Sequence, residues 1–129
     1  MCKTSALKVL IVDDEEIIRY TLEAFLKSMG HTPDQEENGL AGLRAIQNTT
    51  YDTAFVDIRM PGMDGLDLLQ QALAIQPHLS IIVMSGHGDT ETRQEALQAG
   101  AFSFLYKPFR LKEVIDIIES VSHTKAADG

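Results

Sequence analysis

The 129-residue sequence predicts a doubly wound α/β domain, and three observations carry that expectation. Strand-like apolar runs alternate five times with segments of helical periodicity, which implies parallel strands joined by right-handed helical crossovers. No internal repeat, low-complexity tract or linker breaks the alternation before a polar tail, so one domain accounts for it. The length, with 44% hydrophobic content, is enough to bury a core without disulfides or structural metal. The pattern divides the chain into an N-terminal extension at 1–6, a domain at 7–122 and a C-terminal tail at 123–129, the start of a linker if the chain continues.

Leu7 to Val12 reads as a buried strand. A helix follows from about Glu15, with Ile18, Leu22, Phe25 and Met29 on one face and Gly30 as its C-terminal cap. The polar segment His31 to Glu36 is expected as a second strand; Pro33 cannot donate to a ladder, which suits a sheet edge. Asn38-Gly39 opens a helix to about Gln47. Thr53 to Val56 forms the third strand with Asp57 at its end, and "IRMPGMDG" leads into a helix with Leu66, Leu69 and Leu73 on one side. "SIIVMSG" is the fourth strand, ending at Ser85. The helix from about Thr90 to Ala99 has a thin apolar face of Ala96, Leu97 and Ala99, which marks a mobile element. "AFSFLY" is the fifth strand, ending at Lys107-Pro108, and the last helix turns Leu111, Val114, Ile115, Ile118 and Val121 inward.

Composition narrows the function. A net charge of -8 and a pI near 4.8 argue against direct binding to nucleic acid or anionic lipid by this chain, so a DNA-binding role needs another domain. Cys2 is the only cysteine, which removes an internal disulfide and makes a cysteine-ligated zinc site a poor fit. No apolar stretch approaches about 18 residues and Met1 to Leu7 lacks a signal-peptide layout, so the expectation is a soluble cytoplasmic protein without membrane contact.

Ligands of doubly wound sheets bind outside the carboxyl ends of the strands. Asp13, Asp14, Asp57, Ser85 and Lys107 all follow apolar runs and so fall at that rim. Each has a plain structural alternative: Asp13 and Asp14 as helix caps, Asp57 and Ser85 as turn formers, Lys107 as a solvated lysine. Together at one rim those readings weaken, because gathered carboxylates repel one another unless a cation intervenes. Lys107 supplies one charge and a divalent ion would supply two. Magnesium suits the donors, being a hard ion that takes one or two carboxylates and completes its shell with water and phosphate oxygens. Asp57 is then the natural nucleophile toward phosphorus, with Lys107 and the metal neutralising the phosphoryl oxygens and Ser85 hydrogen-bonding one of them.

These residues carry a resemblance. "VDDEE", "FVDIRMPGMDG", "IIVMSGHGD" and "AFSFLYKPF", in that order and spacing from about Leu7 to Ser122, resemble the receiver domain of two-component response regulators. The resemblance implies a flavodoxin-like three-layer fold with strand order 2-1-3-4-5. It implies Asp57 as phosphoacceptor, accepting from a sensor histidine kinase or phosphotransfer protein, and magnesium held by Asp14, Asp57 and the backbone carbonyl of Arg59, with Asp13 acting through water. Ser85 becomes the switch hydroxyl, Lys107 the phosphate partner and Phe104 the switch aromatic, although Phe104 reads equally well as ordinary core. The wording around Ser85 and Lys107 is most similar to receivers that precede DNA-binding activators, which implies a transcriptional output. A homodimer through the fourth helix, fifth strand and fifth helix is a further expectation, and Arg59 and His87 are expected at the pocket rim, where they would tune the lifetime of the phosphoryl group.

Three other readings fit less well. An FMN binder needs a hydroxyl- and glycine-rich loop after the first strand, where this chain has "DDEE". An aspartyl-phosphate hydrolase would place an acid two residues after the nucleophile, where this chain has Arg59. A receiver-like partner-binding domain without phosphorylation has no need of Asp14, Asp57, Ser85 and Lys107 together.

Overall fold

The computed structural model describes residues 6–86 and 90–128. Five strands, β1 (Lys8–Val12), β2 (Thr32–Glu36), β3 (Thr53–Asp57), β4 (Ser80–Ser85) and β5 (Ser103–Tyr106), alternate with five helices. These are α1 (Glu16–Ser28), α2 (Gly39–Asn48), α3 (Gly65–Ile75), α4 (Thr90–Gln98) and α5 (Leu111–Asp128). All strand pairs are parallel, in the order β2-β1-β3-β4-β5, so the chain reverses direction across the sheet after β2.

Period-two alternation splits the buried strand residues between two cores. Leu10, Val12, Ala54, Val56, Ile81 and Val83 meet Ile46 of α2, Leu68, Leu69 and Ala72 of α3 and Ala96 of α4. Val9, Ile11, Phe55, Ile82, Met84 and Leu105 meet Leu22 and Leu26 of α1 and Val114, Ile118 and Val121 of α5. The sheet is thus the middle of three layers, buried on both faces as parallel sheets are.

Local chemistry sets the boundaries. Gly30 takes φ +89° after α1, and a Schellman pair closes the helix: the Gly30 N–H donates to the Lys27 carbonyl and the His31 N–H to that of Leu26. Asn38 caps α2 by accepting from the Ala41 N–H, and Asp64 caps α3 by accepting from that of Asp67. Pro33 stands on the edge strand β2 opposite Val9.

The helices differ from expectation in six places, two of which are the exposure of Leu97 in α4 and the packing of Ile117, in place of Ile115, against the core in α5. Leu26 of α1 is fully buried beside the expected face of Ile18, Leu22, Phe25 and Met29. In α3 the centre of the buried face is Leu68, Leu69 and Ala72, while Leu66 and Leu73 pack at its margins, so the helix is rotated towards the sheet. Leu111, expected inward, is 40% exposed. It is the first residue of α5, and its side chain points back beyond the turn that meets the core. Finally, α5 runs on through Asp128 into the segment read as tail, as the helix formers Lys125, Ala126 and Ala127 allow. The Lys125 ammonium also donates to the His78 carbonyl, tying this last part of α5 to the loop before β4. Among the described residues no helix is long and apolar enough to cross a membrane.

Candidate functional site

Strand register brings the acids together. Val12 pairs with Val56, so Asp13 and Asp57, the next residue of each chain segment, stand side by side at neighbouring strand ends. Asp57 pairs with Met84, which sets Ser85 one step further along the adjacent strand, and Ser85 pairs with Tyr106, immediately before Lys107. The Lys107 N–H donates to the Ser85 carbonyl at 2.7 Å, so the backbone carries the lysine back over the rim. The peptide bond from Lys107 to Pro108 is cis.

The loop behind Asp57 closes tightly. The Gly65 N–H donates to the Ile58 carbonyl at 3.0 Å, and a Cβ on Gly65 would lie 2.5 Å from the Asp57 carbonyl oxygen. Only glycine fits there, which is the physical content of the "MDG" ending of the loop. The Arg59 N–H reaches back to Asp57 Oδ1 at 3.3 Å, while the Arg59 side chain is exposed.

Asp13, Asp14 and Asp57 each offer a carboxylate oxygen, and these oxygens lie within 4.8 Å of one another. Asp13 is fully buried, Asp57 is 5% exposed and Asp14 faces solvent. Lys107 Nζ lies 2.7 Å from Asp13 Oδ2, 3.1 Å from Glu15 Oε1 and 3.6 Å from Asp57 Oδ2. A single ammonium is therefore shared among three carboxylates. Burial raises the Asp57 carboxyl to about 6, with the neighbouring Asp13 charge adding to it and Lys107 opposing it. Burial likewise lifts Asp13 above its ordinary value despite its contact with Lys107. For Lys107 burial alone would lower the ammonium, but Asp13, Asp57 and Glu15 together push it up. These directions agree physically: the lysine has more partners than it can neutralise, and each acid has too little of it.

That donor set fits a hard divalent cation. Three convergent carboxylates with one lysine leave surplus negative charge, and oxygen ligands suit such an ion. The acidic cluster could bind a metal ion on these grounds.

The model of the response regulator receiver domain family matches residues 9–119. The chain belongs to that family. Among relatives, the DNA-binding transcriptional regulator NtrC of Escherichia coli K12 is 43% identical over 116 residues, covering 89% of this chain and 25% of that protein. This receiver thus spans about a quarter of the length of NtrC. Sporulation initiation phosphotransferase F of Bacillus subtilis 168 is 32% identical over 112 residues, covering 87% of this chain and 90% of that one. A receiver domain structure from Methanospirillum hungatei JF-1 superposes with a TM-score of 0.91 at 27% identity, covering 97% of this chain and all of that one.

The structure brings Asp13, Asp14, Asp57, Ser85 and Lys107 to one rim, with the Arg59 backbone against Asp57. Phe104 is half-buried against the core under α3 and α4 and meets the Tyr106 ring edge-on, centroids 5.0 Å apart. His87 lies outside the described residues. Two contributors were not read from the sequence. Glu15 reaches Lys107 across 92 positions, a pairing with no local signal. Arg19 donates from Nη1 to the Asp13 carbonyl at 2.8 Å and from Nε to Gln35 at 3.1 Å, pinning the end of β1 to β2. A single arginine on an otherwise ordinary helix gives no hint of this.

Proposed function

We propose that this receiver is a phosphorylation-controlled switch in which Asp57 accepts a phosphoryl group from the phosphohistidine of a sensor histidine kinase or phosphotransfer protein. The observation that carries this reading is a nearly buried Asp57 between two other carboxylates and a lysine at 3.6 Å. An Asp57 carboxylate oxygen attacks phosphorus, the bond from phosphorus to the imidazole nitrogen breaks, and the imidazole leaves. Ionised Asp57 is the reactive form. Lys107 neutralises charge on the transferred group, and Ser85, at the adjacent strand end, hydrogen-bonds one phosphoryl oxygen. Asp14, Asp57 and the Arg59 backbone carbonyl would hold magnesium, with Asp13 acting through water; the ion supplies further neutralisation of the phosphoryl oxygens. The domain's chemistry is confined to its own modification and its reversal.

Phosphorylation would draw Ser85 and Phe104 inward and bias α4, β5 and α5 between two arrangements. The weak hold on α4, where Ala96 is the buried residue, supports that coupling. Leu97, Tyr106 and Leu111, exposed on those three elements, offer a surface for a homodimer or an output partner. A transcriptional output is supported by the relation to NtrC and would be carried by another domain or protein, given the chain's charge of -8. The exposed Arg59 side chain would slow water's approach to phosphorus, together with His87.

Incubation with acetyl phosphate and magnesium, followed by intact-mass measurement, tests the reading. One phosphoryl group should be added to wild type and none to Asp57→Asn; undiminished labelling of the variant would remove Asp57 from this role.

A further inference from the structure

Glu15 occupies the N-cap position of α1, yet its side chain makes no capping hydrogen bond. Asp13 takes a local role in its place, its Oδ1 accepting from the Glu15 N–H at 2.9 Å. The Glu15 carboxylate instead spans to Lys107 on the far side of the rim, at 3.1 Å. It is also the exposed member of the set, with its side chain 57% accessible against 0% for Asp13 and 8% for Asp57.

An ammonium has three N–H donors. Lys107 donates one to Glu15 and lies in ion-pair contact with Asp13 Oδ2 at 2.7 Å, while Asp57 stands at 3.6 Å, beyond hydrogen-bonding distance. A phosphoryl group on Asp57 presents its oxygens at the side where Lys107 is least engaged, so full neutralisation requires the ammonium to move towards Asp57. Two contacts oppose that movement. The Asp13 carboxylate is buried and held by the Glu15 N–H, so its contact with the ammonium has no solvent to replace it. The Glu15 carboxylate is open to water, which can take over its hydrogen bond, and it is the contact that can be released.

We propose, resting on the reading of Asp57 as phosphoacceptor, that Glu15 is a positioning residue which holds the Lys107 ammonium towards the mouth of the pocket and thereby restrains phosphoryl transfer to Asp57. The restraint is the contact itself and not merely negative charge at the mouth. Glu15→Asp keeps the charge but withdraws the carboxylate by one methylene, so it separates the two.

Rates of labelling by acetyl phosphate in saturating magnesium are compared for wild type, Glu15→Gln and Glu15→Asp, with Asp57→Asn as the site control. Both Glu15 variants should label about threefold faster or more. A second readout, free of phosphorylation and metal, is a melting-temperature cycle in EDTA combining Glu15→Gln with Lys107→Met. Glu15→Gln should be more favourable by about 2 °C in the Lys107→Met background than in wild type, because only wild type has the contact to lose. Equal labelling rates in the three proteins, or acceleration by Glu15→Gln alone, overturn the proposal while leaving Asp57 as acceptor; so does a cycle without coupling. Absence of labelling in wild type defeats the underlying reading, and the proposal with it, even where the cycle shows the contact.

Discussion

Around the amino ends of the first three strands, Lys8 pairs with Asp34 at 3.3 Å and lies over the Tyr51 ring, and the Tyr51 hydroxyl donates to Asp34 at 2.8 Å. Asp52 accepts from the Lys8 N–H and His31 Nδ1 from that of Leu7. At the carboxyl ends of the same sheet, Asp13, Glu15 and Asp57 compete for the single ammonium of Lys107, with Asp14 beside them. One end closes its polar groups into complementary pairs, and the other concentrates like charge. Folding alone favours the first arrangement, since buried, under-neutralised carboxylates cost stability. The carboxyl end is therefore where this receiver gives up stability, at an acidic cluster that could bind a metal ion.

The largest expected effect comes from relieving that strain. Asp57 has its carboxyl raised from 3.8 to about 6, so the folded state binds a proton there more readily than the unfolded chain does. Its ionised form then weakens folding: stability from this group is lost as pH rises from about 4 to 6 and regained as pH falls. In EDTA at pH 7.5, Asp57→Asn should raise the unfolding free energy by roughly 3 kcal/mol, and the gain should fade towards pH 4. Urea denaturation at the two pH values measures it, and a destabilised variant at neutral pH would break the contrast between the two ends.

A change at the balanced end should have the opposite sign. Burial, reinforced by the bond to Asp34, raises the Tyr51 phenol, which stays neutral and donates. Tyr51→Phe removes a hydrogen bond to a charged acceptor and should cost about 1.5 kcal/mol, with labelling of Asp57 by acetyl phosphate unchanged. Slower labelling in that variant would mean that the two ends are coupled through the sheet.

The smallest effect concerns His31. Burial lowers its imidazole below 6.5, Asp52 opposing, and its Nδ1 accepts from the Leu7 N–H at 3.0 Å. The unfolded chain binds this proton more readily, so the stabilisation is complete above pH 6.5 and is lost as pH falls through the folded value. The two ends thus respond to acid in opposite directions. Hydrogen exchange of the Leu7 amide, expressed as a protection factor, should show several-fold less protection at pH 5 than at pH 7.5, and constant protection would remove His31 from this account.

Most of the fold was legible because each buried strand is a short apolar run with its chemistry at the terminus: Asp57 after "TAFV" and Lys107 after "AFSFLY" needed no three-dimensional information. Strand order came with the family resemblance, since alternation alone does not say where the chain reverses. Side-chain orientation within helices was harder. The leucines of α3 are spread widely enough that Leu66-Leu69-Leu73 and Leu68-Leu69-Ala72 both satisfy helical spacing, and only the Val12, Val56 and Val83 surface selects the second. Contacts that join distant segments, such as Glu15 with Lys107 or Arg19 with Gln35, leave no periodic trace at all.

The contrast between the ends is tested most directly by magnesium-dependent melting of wild type, Asp14→Ala and Lys8→Met. A cation that binds only the folded acidic rim stabilises by mass action, so magnesium at about a hundredfold over its dissociation constant should contribute near 2.7 kcal/mol. Wild type and Lys8→Met should show the same rise in melting temperature, and Asp14→Ala should lose most of it. An equal rise in all three proteins would place the ion away from Asp13, Asp14 and Asp57 and contradict the account.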